Sequence, residues 1–108
     1  MALVNTVSIR KNKVSEGSAP LVAVTAYDYT FAKLVDDLVD IVLVGDSVGM
    51  VVQGHPNTLS VTLEDMIYHS KCVSAGLKSA HLVVDMPFMS YQVNLESALK
   101  NAGRLLSE

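Results

Sequence analysis

The chain contains no tryptophan, a single cysteine, three prolines and few charges, and these shortages narrow its class before any motif is read. One cysteine, Cys72, excludes an internal disulfide and suits a reducing cytosol, where it is expected to serve as a small buried apolar residue rather than a nucleophile. Charged residues make up 18% of the sequence, and the eight Lys and Arg form no block, which argues against a nucleic-acid partner. Met1 to Val14 carries Arg10, Lys11 and Lys13 after its few apolar residues, the reverse of a secretory signal. The longest apolar region, Leu38 to Val52, holds Asp40 and Asp46 and is too short to span a bilayer. A soluble, cytoplasmic protein with no membrane partner is expected.

Several chemical signatures are also missing. There is no G-x-G-x-x-G or G-K-[ST] loop for a nucleotide, and no G-x-S-x-G elbow to make Ser47 a nucleophile. No H-x-x-x-H or C-x-x-C pair suggests zinc. What the chain does have is apolar residues: 50% of 108, with a mean hydropathy of +0.36 and a net charge of −3. Such a sequence is not disordered and must bury a large share of itself.

The densest stretch is Asp40 to Met50, DIVLVGDSVGM, in which Ile41 to Val44 run directly into Gly45, Asp46 and Ser47. It repeats in altered form as Leu82-Val83-Val84-Asp85. An apolar run without polar alternation reads as a strand covered on both faces, in a parallel sheet under helices. Around these runs the order is β-α-β-α-β-α after an amphipathic lead helix over 1–13, with Leu3, Val7 and Ile9 apolar. Glu16 to Pro20 is a turn, and strands are expected over 21–26, 40–46 and 80–85. Asp28 or Thr30 caps a helix with Phe31, Leu34, Val35 and Leu38 inward. Ser47 to Ser60 is expected as one long loop. Thr62 to Asp65 forms a capping box for a helix burying Leu63, Met66, Ile67, Val73 and Leu77, with Gly76 near its end. Asn94 caps a last helix with Leu95, Ala98, Leu99, Ala102, Leu105 and Leu106 inward. The class is α/β with parallel strands and crossover helices. A whole eight-unit barrel needs ~250 residues, so the expectation is a single incomplete domain over 1–108, the N-terminal portion of a TIM-type barrel.

In parallel sheets the residues just past the carboxyl ends of the strands face the ligand crevice. Asp46 and Asp85 occupy that place on neighbouring strands, ~4.8 Å apart in a sheet. Two readings stand: the pair holds a hard cation such as Mg²⁺, or each acid caps a helix or binds a loop amide. Ser47, between Gly45 and Gly49, is either a turn residue or a ligand contact beside backbone amides open to an anion. Asp28 reads first as a cap. His69 and His81 read as structural, and His55 as a loop residue open to a lid or ligand role. Met86, Phe88, Met89 and Tyr91 line a pocket or pack against a further unit.

Four segments in order, TAYDYTFAKL, DIVLVGDSVGMVVQGH, TLSVTLEDMIYH and VVDMPFMSYQ, resemble the N-terminal part of the ketopantoate hydroxymethyltransferase family over nearly the whole chain. The resemblance implies a (β/α)₈ barrel, assembled as a homo-oligomer (a decamer in the family). It implies transfer of a hydroxymethyl unit from 5,10-methylenetetrahydrofolate, as co-substrate, to the keto acid 3-methyl-2-oxobutanoate. The product is 2-dehydropantoate, for pantothenate and coenzyme A synthesis. By motif, Asp46 and Asp85 resemble the Mg²⁺ ligands, and Asp46, Ser47 and Asp85 resemble contacts to the keto acid. The family's V-K-L-E-G-G strand, its general-base glutamate and most of its folate site fall outside these residues, so no catalytic base is assigned and the chain alone is expected to be inactive. Asp36 to Asp40 is one residue shorter than the family's helix-to-strand link and lacks its Gly, so a distorted helix end is expected there. The competing reading is a non-catalytic assembly module that pairs through open sheet edges. A small flavodoxin-like domain is disfavoured by the three strands.

Overall fold

A computed structural model describes residues 3–108. Its elements are α1 (Thr6–Lys11), a 3₁₀ turn (Val14–Glu16), β1 (Ala23–Thr25), α2 (Tyr29–Val35), β2 (Ile41–Val44), α3 (Val48–Val51), α4 (Leu63–Gly76), β3 (His81–Val84) and α5 (Leu95–Ser107). The three strands are parallel in the order β1-β2-β3, with Val24 opposite Val42 and Val42 opposite Leu82. The α/β class and the parallel crossovers are therefore present.

Local chemistry sets the helix starts. Asp28 accepts the amide of Phe31, Thr62 and Asp65 form a reciprocal capping box, and Asn94 accepts the amide of Ser97. The lead helix is shorter than expected, capped by Asn5 and with no buried residue; the expected start at residues 1–2 lies outside the described residues. Apolar periodicity without a surface to bury against does not extend a helix.

The core lies on one face of the sheet. Val24, Val42, Val44, Leu82 and Val84 pack with Ala32, Met66 and Val73 of the helices. Met66, Val42, Val44, Val48 and Val73 are fully buried, each worth ~1.5–3 kcal/mol of transfer free energy. The alternate residues Ala23, Thr25, Ile41, Leu43, His81 and Val83 share the opposite face, where Ala23, Thr25 and Val83 are exposed. Among the described residues this second face is covered only in part, with Ile41, Leu43 and His81 half-buried.

Two helices turn differently from their apolar patterns. In α2 the inward residues are Ala32 and Val35, continuing to Asp36 and Val39, while Phe31 is 61% and Leu38 72% exposed. The reason is close approach to α4, where a small residue is needed: Ala32 lies against Gly76. In α5 the residues Ala98, Ala102 and Leu105 are half-buried, whereas Leu95, Leu99 and Leu106 are exposed, Leu106 by 90%. That stripe follows the helical period but has no partner among the described residues.

The amino end of the sheet is laced together. Asp36 is 5% exposed, and its carboxylate accepts the amides of Ser79 and Ala80 and the hydroxyl of Ser79. Burial by itself would raise the Asp36 pKa, but the amides of Ala80, Ser79 and Lys78 and the Ser79 hydroxyl outweigh it and hold the carboxyl below its ordinary value. The α2 end closes with Asp36 N–H to Ala32 O and Leu38 N–H to Val35 O, with Asp36 in right-handed backbone and no left-handed residue in the turn. Val4 N–H adds a bond to Ser79 O.

Candidate active site

β1, β2 and β3 end side by side, so the residues that follow them gather at one edge. Asp85 directly follows β3, and its Oδ2 accepts the backbone N–H of Asp46 at 3.1 Å. The Asp46 carboxylate hangs from the same residue whose amide is so bound, so the two acids share one neighbourhood; both are half-buried. Among the described residues no hydrogen bond is made to the Asp46 carboxylate, and neither acid caps a helix. The loop-amide reading therefore describes one oxygen of Asp85 and leaves its remaining lone pairs unused.

Gly45 forms the wall between them. A Cβ there would lie 3.1 Å from Ser47 Oγ, a tight approach, and 3.4 Å from Asp85 Oδ2, an ordinary contact, so a side chain would crowd Ser47 first. Gly49 has a different task from the one expected. Its missing Cβ makes room for Val61, whose Cγ2 would be 2.5 Å away, so this glycine serves packing rather than ligand approach.

The stretch expected as one loop contains α3, a single turn that buries Val48 and Gly49. Forming that turn consumes amides: Val48 N–H bonds Gly45 O, Gly49 N–H bonds Asp46 O, and Asp46 N–H bonds Asp85. The Asp46, Val48 and Gly49 amides are thus already paired, whereas the Ser47 amide donates to no group among the described residues. The Ser47 hydroxyl is not paired in this way. Although Ser47 stands at the N-cap of α3, it makes no capping bond, and its Oγ lies 2.6 Å from Tyr27 Oη instead.

Tyr27 is the residue that sequence reasoning passed over. It follows β1 as Asp46 and Asp85 follow β2 and β3, and that shared position was the available signal. His69 of α4 approaches it, with Nδ1 2.7 Å from the Tyr27 carbonyl oxygen. A carbonyl only accepts, so Nδ1 carries the proton. His69 is accordingly structural in its contact, and His81 opens β3 at the end remote from the site. His55 is exposed, held by its own N–H to Gly49 O. Asp28 is a cap, as first read.

Met86, Phe88, Met89 and Tyr91 do not make a common pocket. Met86 lines a cavity of about 440 Å³ between α4, β3 and α5 that contains neither Asp46 nor Asp85. Phe88, Met89 and Tyr91 are each about half exposed. Cys72 is half-buried and free.

The site's donors are oxygen only: two carboxylates with the Tyr27 and Ser47 hydroxyls close by. Among the described residues no three His, Cys, Asp or Glu side chains gather as a metal cage. Such a sparse set fits Mg²⁺, which commonly takes one or two carboxylates and leaves its other positions to water and substrate oxygens. It does not fit zinc or a closed structural ion.

Comparison with known proteins adds an independent finding. Residues 4–108 match the sequence profile of the family described as ketopantoate hydroxymethyltransferase. A 3-methyl-2-oxobutanoate hydroxymethyltransferase of Clostridioides difficile (strain 630) is 51% identical over 105 residues, covering 96% of this chain and 38% of that protein. The protein of the same name from Aquifex aeolicus (strain VF5) is 57% identical over 86 residues, covering 79% of this chain and 32% of its own length. The one from Syntrophotalea carbinolica is 60% identical over 85 residues, covering 78% of this chain and 32% of its own. The chain thus spans between 32 and 38% of the length of these curated relatives.

Proposed function

Because the chain belongs to the ketopantoate hydroxymethyltransferase family, we propose that it supplies the keto-acid-holding part of an enzyme that carries a hydroxymethyl unit from 5,10-methylenetetrahydrofolate to 3-methyl-2-oxobutanoate. The product is 2-dehydropantoate, and the pathway is pantothenate and coenzyme A biosynthesis in the cytoplasm. The single observation that carries this reading is the junction of Asp46 and Asp85 at the carboxyl ends of adjoining strands, beside a hydroxyl that caps no helix.

The fold reading is that β1 to β3 form the first part of a (β/α)₈ barrel. Sequential parallel strands with their core on one face support it, because a barrel keeps its helices outside and fills its interior from the opposing strands. No helix among the described residues is long and apolar enough to cross a membrane. The exposed apolar residues of α2 and α5, Phe31, Leu34, Leu95 and Leu106 among them, support assembly into a homo-oligomer.

Asp46 and Asp85 would hold Mg²⁺. A bound Mg²⁺ supplies Lewis acidity, polarising the ketone and stabilising the enolate that forms when the proton at C3 leaves. The chain's own groups bind and orient. The Asp46 amide fixes the Asp85 carboxylate, Gly45 keeps the floor clear, and Ser47 offers a hydroxyl to the acid. With both carboxylates given to the ion, neither remains to take the C3 proton. A positioned base is typically worth ~10²–10⁴ in rate, so these residues account for binding and orientation of the keto acid rather than for proton removal.

Calorimetric titration with 3-methyl-2-oxobutanoate tests the reading. Binding that requires Mg²⁺ and weakens by about tenfold or more in Asp46→Asn or Asp85→Asn is expected. Equal binding with and without Mg²⁺ would refute it. Formation of 2-dehydropantoate on mixing with a polypeptide carrying the remaining family sequence tests the full activity. A second reading rests on one observation, that β1 and β3 each present an open edge. An assembly module would elute as an obligate multimer and bind no keto acid.

A further inference from the structure

We infer that Tyr27 is a positioning residue whose phenol fixes the direction of the Ser47 hydroxyl, and that His69 holds Tyr27 in place from α4. The inference rests on the proposed keto-acid site and deepens it.

Three observations carry it. Ser47 sits where a serine ordinarily caps a helix, yet it makes no cap bond, because the α3 amides close on backbone carbonyls instead. Its Oγ is therefore not engaged by the helix, and the one partner it meets among the described residues is the Tyr27 phenol at 2.6 Å. A phenol is the stronger acid of the two hydroxyls, so the favoured arrangement has Tyr27 donating to Ser47 Oγ. The Ser47 proton is then turned away from Tyr27 and left for an anionic oxygen.

Tyr27 must itself be held for this to work. Its position just past β1 is free of the ladder, and the His69 Nδ1–H to Tyr27 carbonyl bond of 2.7 Å ties that backbone to a fourteen-residue helix. Tyr27 is half-buried and packs against the core, so its ring has a second support. Three elements thus converge on one hydroxyl: the end of β1, the start of α3 and the middle of α4.

A double-mutant cycle on the full chain tests this, reading the affinity for 3-methyl-2-oxobutanoate with saturating Mg²⁺ and the affinity for Mg²⁺ alone. Tyr27→Phe is expected to weaken keto-acid binding about three- to tenfold, the range for one hydrogen bond, and to leave Mg²⁺ binding within about twofold. Ser47→Ala should weaken it at least as much, and the double variant should be no worse than Ser47→Ala. Additive losses, or equal losses for acid and metal, would overturn the inference. His69 gives a second route that spares the phenol. His69→Ala should reproduce the selective loss, and His69→Asn, which presents an amide donor near the place of Nδ1, should restore it. Failure of Asn to restore what Ala removes would count against the anchor. If the unmodified chain binds no keto acid, the site assignment itself falls; if it binds and Tyr27→Phe binds equally, only the role of Tyr27 falls.

Discussion

Two aspartates at opposite ends of the same three strands have opposite surroundings. Asp36, at the amino end, is almost wholly enclosed, and backbone amides and a hydroxyl from the turn before β3 converge on it. Asp85, at the carboxyl end, is half-buried and takes one amide. A carboxylate saturated with donors has nothing left to offer a ligand and contributes stability. A carboxylate held by a single bond is oriented but still able to bind. The amino end of the sheet is thus built for cohesion and the carboxyl end for chemistry, the division expected when ligand sites gather past the strand ends.

The comparison breaks most visibly at Asp36. Asp36→Ala strands the buried amides of Ser79 and Ala80, each costing ~1–3 kcal/mol, so a loss of ~3 kcal/mol is expected in urea denaturation. A loss under ~1 kcal/mol would mean that water reaches those amides. The pH dependence follows from the same contacts. The folded pKa of Asp36 is lowered, so its contribution is complete above the ordinary carboxylate pKa of ~3.9 and is lost as pH falls through the lower folded value. Asp36→Asn should flatten that acid limb, as read from denaturation midpoints at successive pH values.

Gly49 sharpens the contrast, because it lies at the functional end yet serves packing. Gly49→Ala drives a methyl into Val61, and a cost of ~2 kcal/mol is expected, within the range for overpacking. Keto-acid affinity of the folded fraction should not change. Asp85→Asn should do the reverse. Its midpoint should move by less than ~1 kcal/mol, since one amide bond is kept by the Asn oxygen, while Mg²⁺ affinity falls about tenfold, worth ~1.4 kcal/mol. The smallest effect is at Met89, whose φ of 67° in the Pro87–Ser90 turn is unusual for a residue with a side chain. Met89→Gly relieves ~1–2 kcal/mol of left-handed strain against ~0.5–1 kcal/mol of added backbone entropy, so a gain of ~0.5 kcal/mol is expected by thermal denaturation.

Element order, caps and strand positions were legible because they are written locally: Asp28, Thr62, Asp65 and Asn94 act within one turn of their own helices. The acids at the strand ends were legible too, because strand ends are marked by where apolar runs stop. Which way α2 faces was not legible. Phe31, Leu34, Val35 and Leu38 satisfy the helical period, but the contact that decides orientation is Ala32 against Gly76, a fit between small residues that hydrophobicity does not report. The outward stripe of α5 has the same origin, since period alone does not say whether a partner is present. Tyr27 was missed because its chemistry depends on a hydroxyl twenty residues away, and the anchoring carbonyl is a backbone atom that no motif spells.

The most direct measurement is paramagnetic broadening by Mn²⁺, an octahedral oxygen-binding stand-in for Mg²⁺, in the amide NMR spectrum of the chain. If Asp46 and Asp85 hold the ion, the signals of Gly45 to Ser47 and of Asp85 and Met86 vanish first, and those of Ser79 and Ala80 persist. Broadening centred on Asp36, or spread evenly over the surface acids, would contradict the account.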